Sequence, residues 1–504
     1  MIKSILIANR GEIALRVIRA CRELDIKAIA IFSDVDVNSL HVRFADEAYR
    51  IGGNAPSESY LKIDEIVDLA KKVGADAIHP GYGFLSENPQ FAKRCEREGI
   101  IFIGPKGSTL ERTGNKLECK RVLEEAGIPT LKGHQGEIKG FDDLVEISNK
   151  IGYPLLIKSV YGGGGRGLRV VRREKELKDA FLDSQLESEE AFGRGEIYLE
   201  RYLEGARHIE IQILRDKYGN SVHLGERDCS IQRRYQKIIE MAPSPIIKDE
   251  IRKRMGLMAL KAAEVLDYTS AGTVEFLVDK DWNSYFIEVN ARIQVEHPIT
   301  EMVTGVDLVK EQIRIAQGEE INLKQEQVKI RGFSIECRIN AEDPLLDFIP
   351  SAGIIKSHIP PSGNGIRVDS ALYSGYNVPI YYDSLISKLI TWGRDFEEAR
   401  IRMKNAIKSY HIEGISTNIP LLLTIIEHEK FIKQDFSLNF IEEQKIVEQT
   451  RVLEANRKRE LEEIASIVAT LNLKINHRER RSGEIKSPIS NVRVYNRGRF
   501  IDAL

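Results

Sequence analysis

The sequence predicts a protein of mixed α/β and α+β class: an N-terminal open parallel α/β sheet domain, a small mobile lid, and a larger C-terminal mixed or antiparallel α+β part. Three observations carry that prediction. Strand and helix patterns alternate through the N-terminal part. A glycine run then stands between two short strand patterns. Beyond it, strands follow one another across turn residues, at hairpin spacing. A length of 504 residues suits about three domains of ~150 residues.

Taken in order, Ser4-Ile5-Leu6-Ile7-Ala8 reads as a buried strand and Asn9-Arg10-Gly11 as a turn. A helix follows over about 12–24, with Ile13, Val17, Ile18 and Leu24 on or beside one face. Residues 27–32 return as a second strand, completing a βαβ unit. Helices near 63–73 and 89–98 then lead into strands at 75–79 and 100–104. The first turn lacks the GxGxxG spacing that wraps a dinucleotide pyrophosphate, which argues against a nicotinamide or flavin site.

The texture changes near residue 130. A strand at 153–158, the glycine loop, a strand at 168–172, a helix near 174–188 and a strand at 196–200 form a small α+β unit. It hinges on both sides and carries its loop at the tip. From about 204 come strands at 208–214 and 221–226, a helix near 247–266, a hairpin over 273–290 and a helix near 305–317. More strands run through 331–392, then a helix near 395–409, and no internal repeat is visible. A helical stretch near 440–469 precedes a polar tail, read as a surface helix or as an element that docks a partner. The sections are 1–114, 115–203 (lid core about 130–203), 204–334, 335–445 and 446–504.

The groups that carry chemistry begin with Gly162-Gly163-Gly164-Gly165-Arg166-Gly167. Four consecutive glycines cost entropy on ordering, which suits a backbone that approaches a ligand closely or moves. Its N–H groups can cradle phosphate, with Arg166 adding charge and Lys158 near the loop's base. It is not a P-loop, because GxxxxGK[ST] is absent; a flexible surface hairpin is the plain alternative.

The hairpin supplies a sharper signal. Residues 273–278 and 285–290 alternate as strands around the turn residues 279–283. Pairing Val278 with Tyr285 sets Glu275 opposite Glu288, Cβ atoms ~5 Å apart, with Asn290 on the same face. Opposed carboxylates are destabilising unless bridged, and a hard divalent cation, Mg²⁺ or Mn²⁺, is the natural bridge. Protonation of one, or pairing with a base such as Arg292, is the alternative. Next comes Arg292-Ile293-Gln294-Val295-Glu296-His297-Pro298, which holds a guanidinium for a planar oxyanion and a carboxylate that can take its proton. Basic clusters at 226–237 and around Arg338 suit neutralisation of a polyanion or, equally, a solvated face. The residues alone therefore describe a phosphoryl-transfer site for a Mg-nucleotide, a hinged lid and a small anionic acceptor.

A net charge of −2 gives no case for nucleic acid or an anionic membrane as partner. No apolar run approaches the ~18 residues that span a bilayer. The five dispersed cysteines lack metal-ligand spacing and read as free thiols in a reducing compartment. The first strand leaves no room for a signal peptide, so the cytoplasm is expected.

Over residues 1 to about 445 the chain resembles the biotin carboxylase family of ATP-grasp ligases. The resemblance rests on Ile7-Ala8-Asn9-Arg10-Gly11-Glu12-Ile13-Ala14, His79-Pro80-Gly81-Tyr82-Gly83-Phe84-Leu85-Ser86-Glu87-Asn88 and the glycine loop. It rests equally on 226–232, 288–298, 336–344 and Tyr381-Tyr382-Asp383-Ser384, all in the family's order. It implies that Lys116, Lys158 and the loop residues Gly163, Gly164, Gly165 and Arg166 hold ATP phosphates. Glu200 and Leu203 would lie at the adenine, and His208 and Gln232 at the nucleotide. Glu275, Glu288 and Asn290 would bind Mg²⁺ or Mn²⁺, two ions in all. Arg292, Gln294 and Val295 would hold bicarbonate, with Lys237 over the reacting anions. Glu296 would be the general base, and Arg338 would stabilise the biotin enolate after carboxyphosphate breaks down.

Tyr235 stands where the family usually has histidine; Ser159-Val160-Tyr161 and Leu168 are milder departures. Multidomain members carry a biotinyl lysine within Met-Lys-Met, and the nearest string here is Met403-Lys404-Asn405, inside a predicted helix. The resemblance thus implies a homodimeric stand-alone subunit served by a separate biotin carboxyl carrier protein and a separate carboxyltransferase. That transferase would choose acetyl-CoA, propionyl-CoA or pyruvate. The competing readings are a carbamoyl-phosphate synthetase-like enzyme, another ATP-grasp ligase and an inactive scaffold subunit.

Overall fold

The computed structural model describes residues 1–482 except 135–137, 139, 161–167 and 193–194. The glycine loop with Gly163, Gly164, Gly165 and Arg166 lies outside the described residues.

The N-terminal β/α alternation closes into a five-stranded parallel sheet. Its strands run Glu47–Gly52, Lys27–Ser33, Ser4–Ile7, Ala77–His79, Ile101–Phe102 across the sheet. The edge strand Glu47–Gly52 and the helix Lys116–Glu125 were not expected from the pattern. The chain builds outward on one side of Ser4–Ile7, then crosses to add Ala77–His79 on the other. This reversal opens a crevice at the strands' carboxyl ends, the usual ligand position in such sheets. Asn9 spans the crevice, its Nδ2 donating to the carbonyls of Pro80 and Tyr82 at 2.7 Å each. Gly81 between them has φ +62, and a Cβ there would stand 2.9 Å from that Nδ2.

The small domain is a four-stranded antiparallel sheet ordered Gly133–His134, Ile197–Arg201, Leu155–Ser159, Arg169–Val171. With the helices Phe141–Ile151 and Leu177–Phe192 it has its own core, built on Leu144, Ile157, Val171 and Leu199. That separate core lets the unit move without breaking the packing of its neighbours.

The rest is organised by one eight-stranded antiparallel sheet. Its order is Ser284–Asn290, Ser270–Val278, Arg207–Arg215, Ser221–Arg233, Gln236–Ala242, Phe333–Asn340, Leu385–Gly393, Ile366–Ser370. The sheet runs without a break across residues 334 and 335. The strand Arg207–Arg215 alternates: Ile209, Ile211 and Ile213 join the core formed with the helix Asp249–Val265. His208, Glu210 and Gln212 therefore face the other side, where the polar groups collect. The strand expected at 221–226 continues to Arg233, so residues 226–233 of the charge-dense cluster 226–237 lie in the sheet. The anion-binding run leads directly into a helix, His297–Thr304, which precedes Leu308–Gln317.

The hairpin register departs from the expected one at its turn. Val278 pairs with Ser284 and Leu277 with Tyr285, one residue away from the Val278–Tyr285 pairing. A bulge at Ile287 then absorbs the extra residue, so Glu275 still opposes Glu288 and Thr273 opposes Asn290. The carboxylate pairing holds, although the turn pairing expected with it is offset. At the other end of the chain, a 37-residue helix spans Ile446–Ser482. No helix among the described residues is long and apolar enough to cross a membrane.

Candidate active site

A cavity of about 820 Å³ opens where the three sheets meet. The N-terminal crevice contributes Asn9–Ile13 and Tyr82–Phe84, and the small domain contributes Lys158 and Leu203. The large sheet brings His208, Gln232, Lys237, Glu275, Glu288, Asn290, Arg292, Gln294, Val295 and Arg338, with Lys116 alongside. Of the expected site residues that are described, Glu200 and Glu296 sit behind this lining, 2% and 0% exposed.

Its floor is a row of carboxylates. Glu288, Glu275 and Glu210 stand directly opposite one another on three adjacent strands, and Arg227 closes the row on the fourth. Such a row is stable only with cations set into it. Lys116 Nζ lies 2.6 Å from Glu288, and Lys237 Nζ reaches Glu210 at 2.6 Å and Glu275 at 2.9 Å. His208 Nε2 is 2.9 Å from Glu275, with its Nδ1 2.7 Å from Gln232. Burial alone would raise Glu275, but Lys237 and His208 outweigh it and hold the carboxyl well below its usual range. Asn290 and Gln294 also donate to Glu275, at 2.8 and 3.1 Å. Arg292 does not pair with the hairpin carboxylates; it donates to Glu87 at 2.9 Å and to the Asn290 oxygen at 3.0 Å.

Glu296 occupies the far end. Lys237 donates to one of its oxygens at 2.7 Å and Arg338 to the other at 3.0 Å. Burial would raise this carboxyl, yet the two cations keep it ionised well into acid. Arg338 also pairs with Glu240, which burial pushes up to about 7 against that guanidinium. The peptide preceding Glu296 is fixed as well. Fully buried Lys388 donates to the Val295 carbonyl at 2.9 Å and lies 3.1 Å from Glu12, whose other partner is the Tyr82 hydroxyl.

At the small domain, three ammonium groups converge. Lys158 is 2.7 Å from Glu200, and buried Lys120 contacts the same carboxylate. Burial, with Lys116 close by, pulls Lys158 down to about 8 and Lys120 well below its ordinary value. Cations held together at such cost mark a place where an anion is expected.

Sequence reasoning missed Lys120, Glu210, Arg227 and Glu240. The alternation His208-Ile209-Glu210-Ile211-Gln212 was a signal for Glu210, since it shares a face with His208. Lys120 had none, because a helical lysine is ordinarily solvated. Arg227, fully buried between Glu210, Gln212, Thr273 and Thr300, was visible only as part of a charge-dense string.

Residues 1–110 match the model of the biotin carboxylase N-terminal domain, and 336–443 match that of its C-terminal domain. Residues 115–324 match the carbamoyl-phosphate synthase L chain ATP-binding domain. Biotin carboxylase 1 of Bacillus subtilis is 53% identical over 443 residues, covering 88% of this chain and 98% of its own. A pyruvate carboxylase subunit of Methanothermobacter thermautotrophicus is also 53% identical, over 88% of this chain and 90% of its own. Among solved structures, the biotin carboxylase domain dimer of Hydrogenobacter thermophilus 2-oxoglutarate carboxylase, with MgADP, ADP and bicarbonate, superposes at a TM-score of 0.87. It is 52% identical and covers 89% of this chain and 98% of that one. By the match of three consecutive family models and of near-full-length relatives, this chain belongs to the biotin carboxylase family.

Proposed function

We propose that the chain carboxylates biotin on a carrier protein, using ATP and bicarbonate through a carboxyphosphate intermediate. The observation that carries this reading is Glu296: a buried base held between Lys237 and Arg338, one residue from the Val295 backbone and adjoining the carboxylate row. In this reading Lys116 and Lys158 take the phosphates, with the glycine loop covering them, while Leu203, His208 and Gln232 flank the nucleoside. Glu200 supports the phosphate lysines through its side chain. Glu275, Glu288 and the Asn290 oxygen form a hard-oxygen donor set that suits Mg²⁺ or Mn²⁺. The metal supplies charge neutralisation for the nucleotide phosphates.

Arg292, Gln294 and Val295 hold bicarbonate. Glu296 accepts its proton as a bicarbonate oxygen bonds the γ-phosphorus and the bond to ADP breaks. An ionised base so strongly stabilised is weak, so its basicity must rise when the substrate anions draw Lys237 and Arg338 toward themselves. Carboxyphosphate then splits into CO₂ and phosphate, and the phosphate takes the N1 proton of biotin. Arg338, released from Glu296, faces the negative oxygen left on the ureido group until N1 bonds the carbon of the CO₂ and the carboxylate forms. Shielding by the small domain keeps carboxyphosphate from water.

The acceptor is chosen elsewhere. Relatives named for pyruvate and for 2-oxoglutarate carboxylation are 53% and 52% identical to this chain, so the shared site does not encode the acceptor. This supports a subunit that works with a separate biotin carboxyl carrier protein and carboxyltransferase in the cytoplasm, itself dimeric through the part shared with the Hydrogenobacter domain. The division into 1–114, 115–203, 204–334, 335–445 and 446–504 is retained as a functional one, although the large sheet joins the third and fourth sections.

The test is ADP release by the purified chain with MgATP. Bicarbonate-dependent turnover that rises with free biotin is expected, with near-complete loss in Glu296→Ala. Turnover indifferent to both bicarbonate and biotin overturns the reading.

A further inference from the structure

Beneath Arg338 lies a carboxyl group that the reaction as described does not use. Glu336 and Glu240 stand directly opposite one another on the neighbouring strands Phe333–Asn340 and Gln236–Ala242, and both are fully buried. Arg338 follows Glu336 by two residues and so shares its face of the sheet. Glu240 receives Arg338 Nε on one oxygen. Its other oxygen, and both oxygens of Glu336, lack a hydrogen-bond partner. Two buried, opposed carboxyls with three bare oxygens are not stable if both are ionised; one proton between them removes the conflict.

The surrounding charges do not relieve it. Lys388, opposite Arg338 on the next strand, is taken by Glu12 and the Val295 carbonyl. Arg338 is shared between Glu240 and Glu296, and Lys237 among Glu210, Glu275 and Glu296. Each cation near the pair is therefore already matched, and none pairs with Glu336 among the described residues. Burial keeps the proton on Tyr82, Cys229 and Cys337 close by, so they add no charge. Burial, with Glu240 and Glu296 adding to it, holds the Glu336 carboxyl well above its usual range against the pull of Lys388 and Arg338.

We propose that Glu336 is a positioning residue: as a neutral acid it donates its O–H to the bare oxygen of Glu240, so that Glu240 holds Arg338 by one bond only. A free carboxylate matches the guanidinium fork with two parallel bonds. An O–H bond on the second oxygen restricts Glu240 to Nε. Arg338 Nη2 is then left for Glu296, which it reaches at 3.0 Å. When Glu296 takes the bicarbonate proton, that nitrogen turns to the ureido oxygen of biotin while Nε stays anchored. The acid proton of Glu336 is not consumed, and Glu336 touches no reacting atom; it acts through Glu240 on Arg338. The inference rests on the role given to Arg338 under the proposed function.

The test compares full-length Glu336→Gln and Glu336→Leu with the natural chain. At about pH 8.5, where ordinary carboxyls are ionised, the infrared difference between the natural chain and Glu336→Gln should contain the carbonyl band of a protonated acid. Loss of an ionised carboxylate band in its place overturns the proposal. In turnover, the glutamine amide can donate to Glu240 as the acid does, so KM for free biotin should stay within about twofold of the natural value. Glu336→Leu, equally neutral but without a donor, should raise that KM about tenfold and KM for bicarbonate less than about threefold. Equal KM for biotin in the two variants, or a bicarbonate effect as large as the biotin effect, overturns the proposal. So does a rise of about tenfold in Glu336→Gln, which decides the matter even where the leucine variant does not fold. Natural-chain turnover that ignores biotin is a different failure: it removes the proposed function, and the role of Glu336 with it.

Discussion

Replacing Lys388 with methionine should destabilise the fold by ~3–5 kcal/mol, the range for removing one partner of a buried ion pair. Lys388 is fully buried, 2.9 Å from the Val295 carbonyl, 3.1 Å from Glu12 and 4.0 Å from Asp369. Asp369 keeps Arg367 at 2.6 Å, so the charge left stranded is Glu12. Its second oxygen already has no hydrogen-bond partner, and methionine fills the space without restoring charge. Adding Glu12→Gln removes that stranded charge, and the double variant should return to within ~2 kcal/mol of the natural chain. The assay is a double-mutant cycle in urea, followed by tryptophan fluorescence, to which Trp392 of the same strand contributes. KM for bicarbonate should rise about tenfold in Lys388→Met, because the Val295 peptide loses its anchor. A cost below ~1 kcal/mol, or two single losses that simply add in the double variant, refutes the reasoning.

Lys158, lowered to about 8, should lose its charge as pH rises through that value, so kcat/KM for MgATP should fall about tenfold per pH unit above 8. Lys158→Arg should move the fall to higher pH, and a natural profile flat to about pH 9.5 refutes this. By linkage, the protonated lysine costs the empty fold stability, relieved as pH rises from about 8 toward 10.5. Glu288→Gln should raise the Mg²⁺ needed for half-maximal ADP release at least about tenfold, since one of two opposed carboxylates is lost; an unchanged Mg²⁺ dependence rejects the donor set. Burial pushes the Tyr235 phenol up to about 12, so it stays neutral in the working range. Tyr235→His should therefore introduce a break near about pH 6–7 in the rate profile; superimposable profiles would show that position 235 does not sense the reaction.

What was legible in the sequence follows from how local each signal is. The βαβ start and the parallel sheet were readable because each strand and helix carries its own period. The edge strand Glu47–Gly52 was not, since its side chains are mostly half-exposed and lack a clean alternation. Glu275 and Glu288 were legible because both lie in one hairpin. Glu210, which completes the row, comes from a strand some sixty residues earlier, and only the sheet order brings it there. The same limit hid Lys388, whose meaning depends on meeting Glu12 from the chain's first helix. Arg338 was legible through family likeness; its physical role emerges from contact with Glu296 across the sheet.

The bulge at Ile287 has a consequence for how such a hairpin can change over generations. The turn end and the carboxylate end are out of phase by one residue, with the slip absorbed between them. It acts as a clutch: the turn at 279–283 can drift in composition while Glu275 and Glu288 stay in step. Inheritance of the chemistry is thereby uncoupled from inheritance of the loop. Deleting Ile287 should therefore straighten this strand while leaving Glu288 opposite Glu275 and Asn290 opposite Thr273, because the residue removed is the unpaired one.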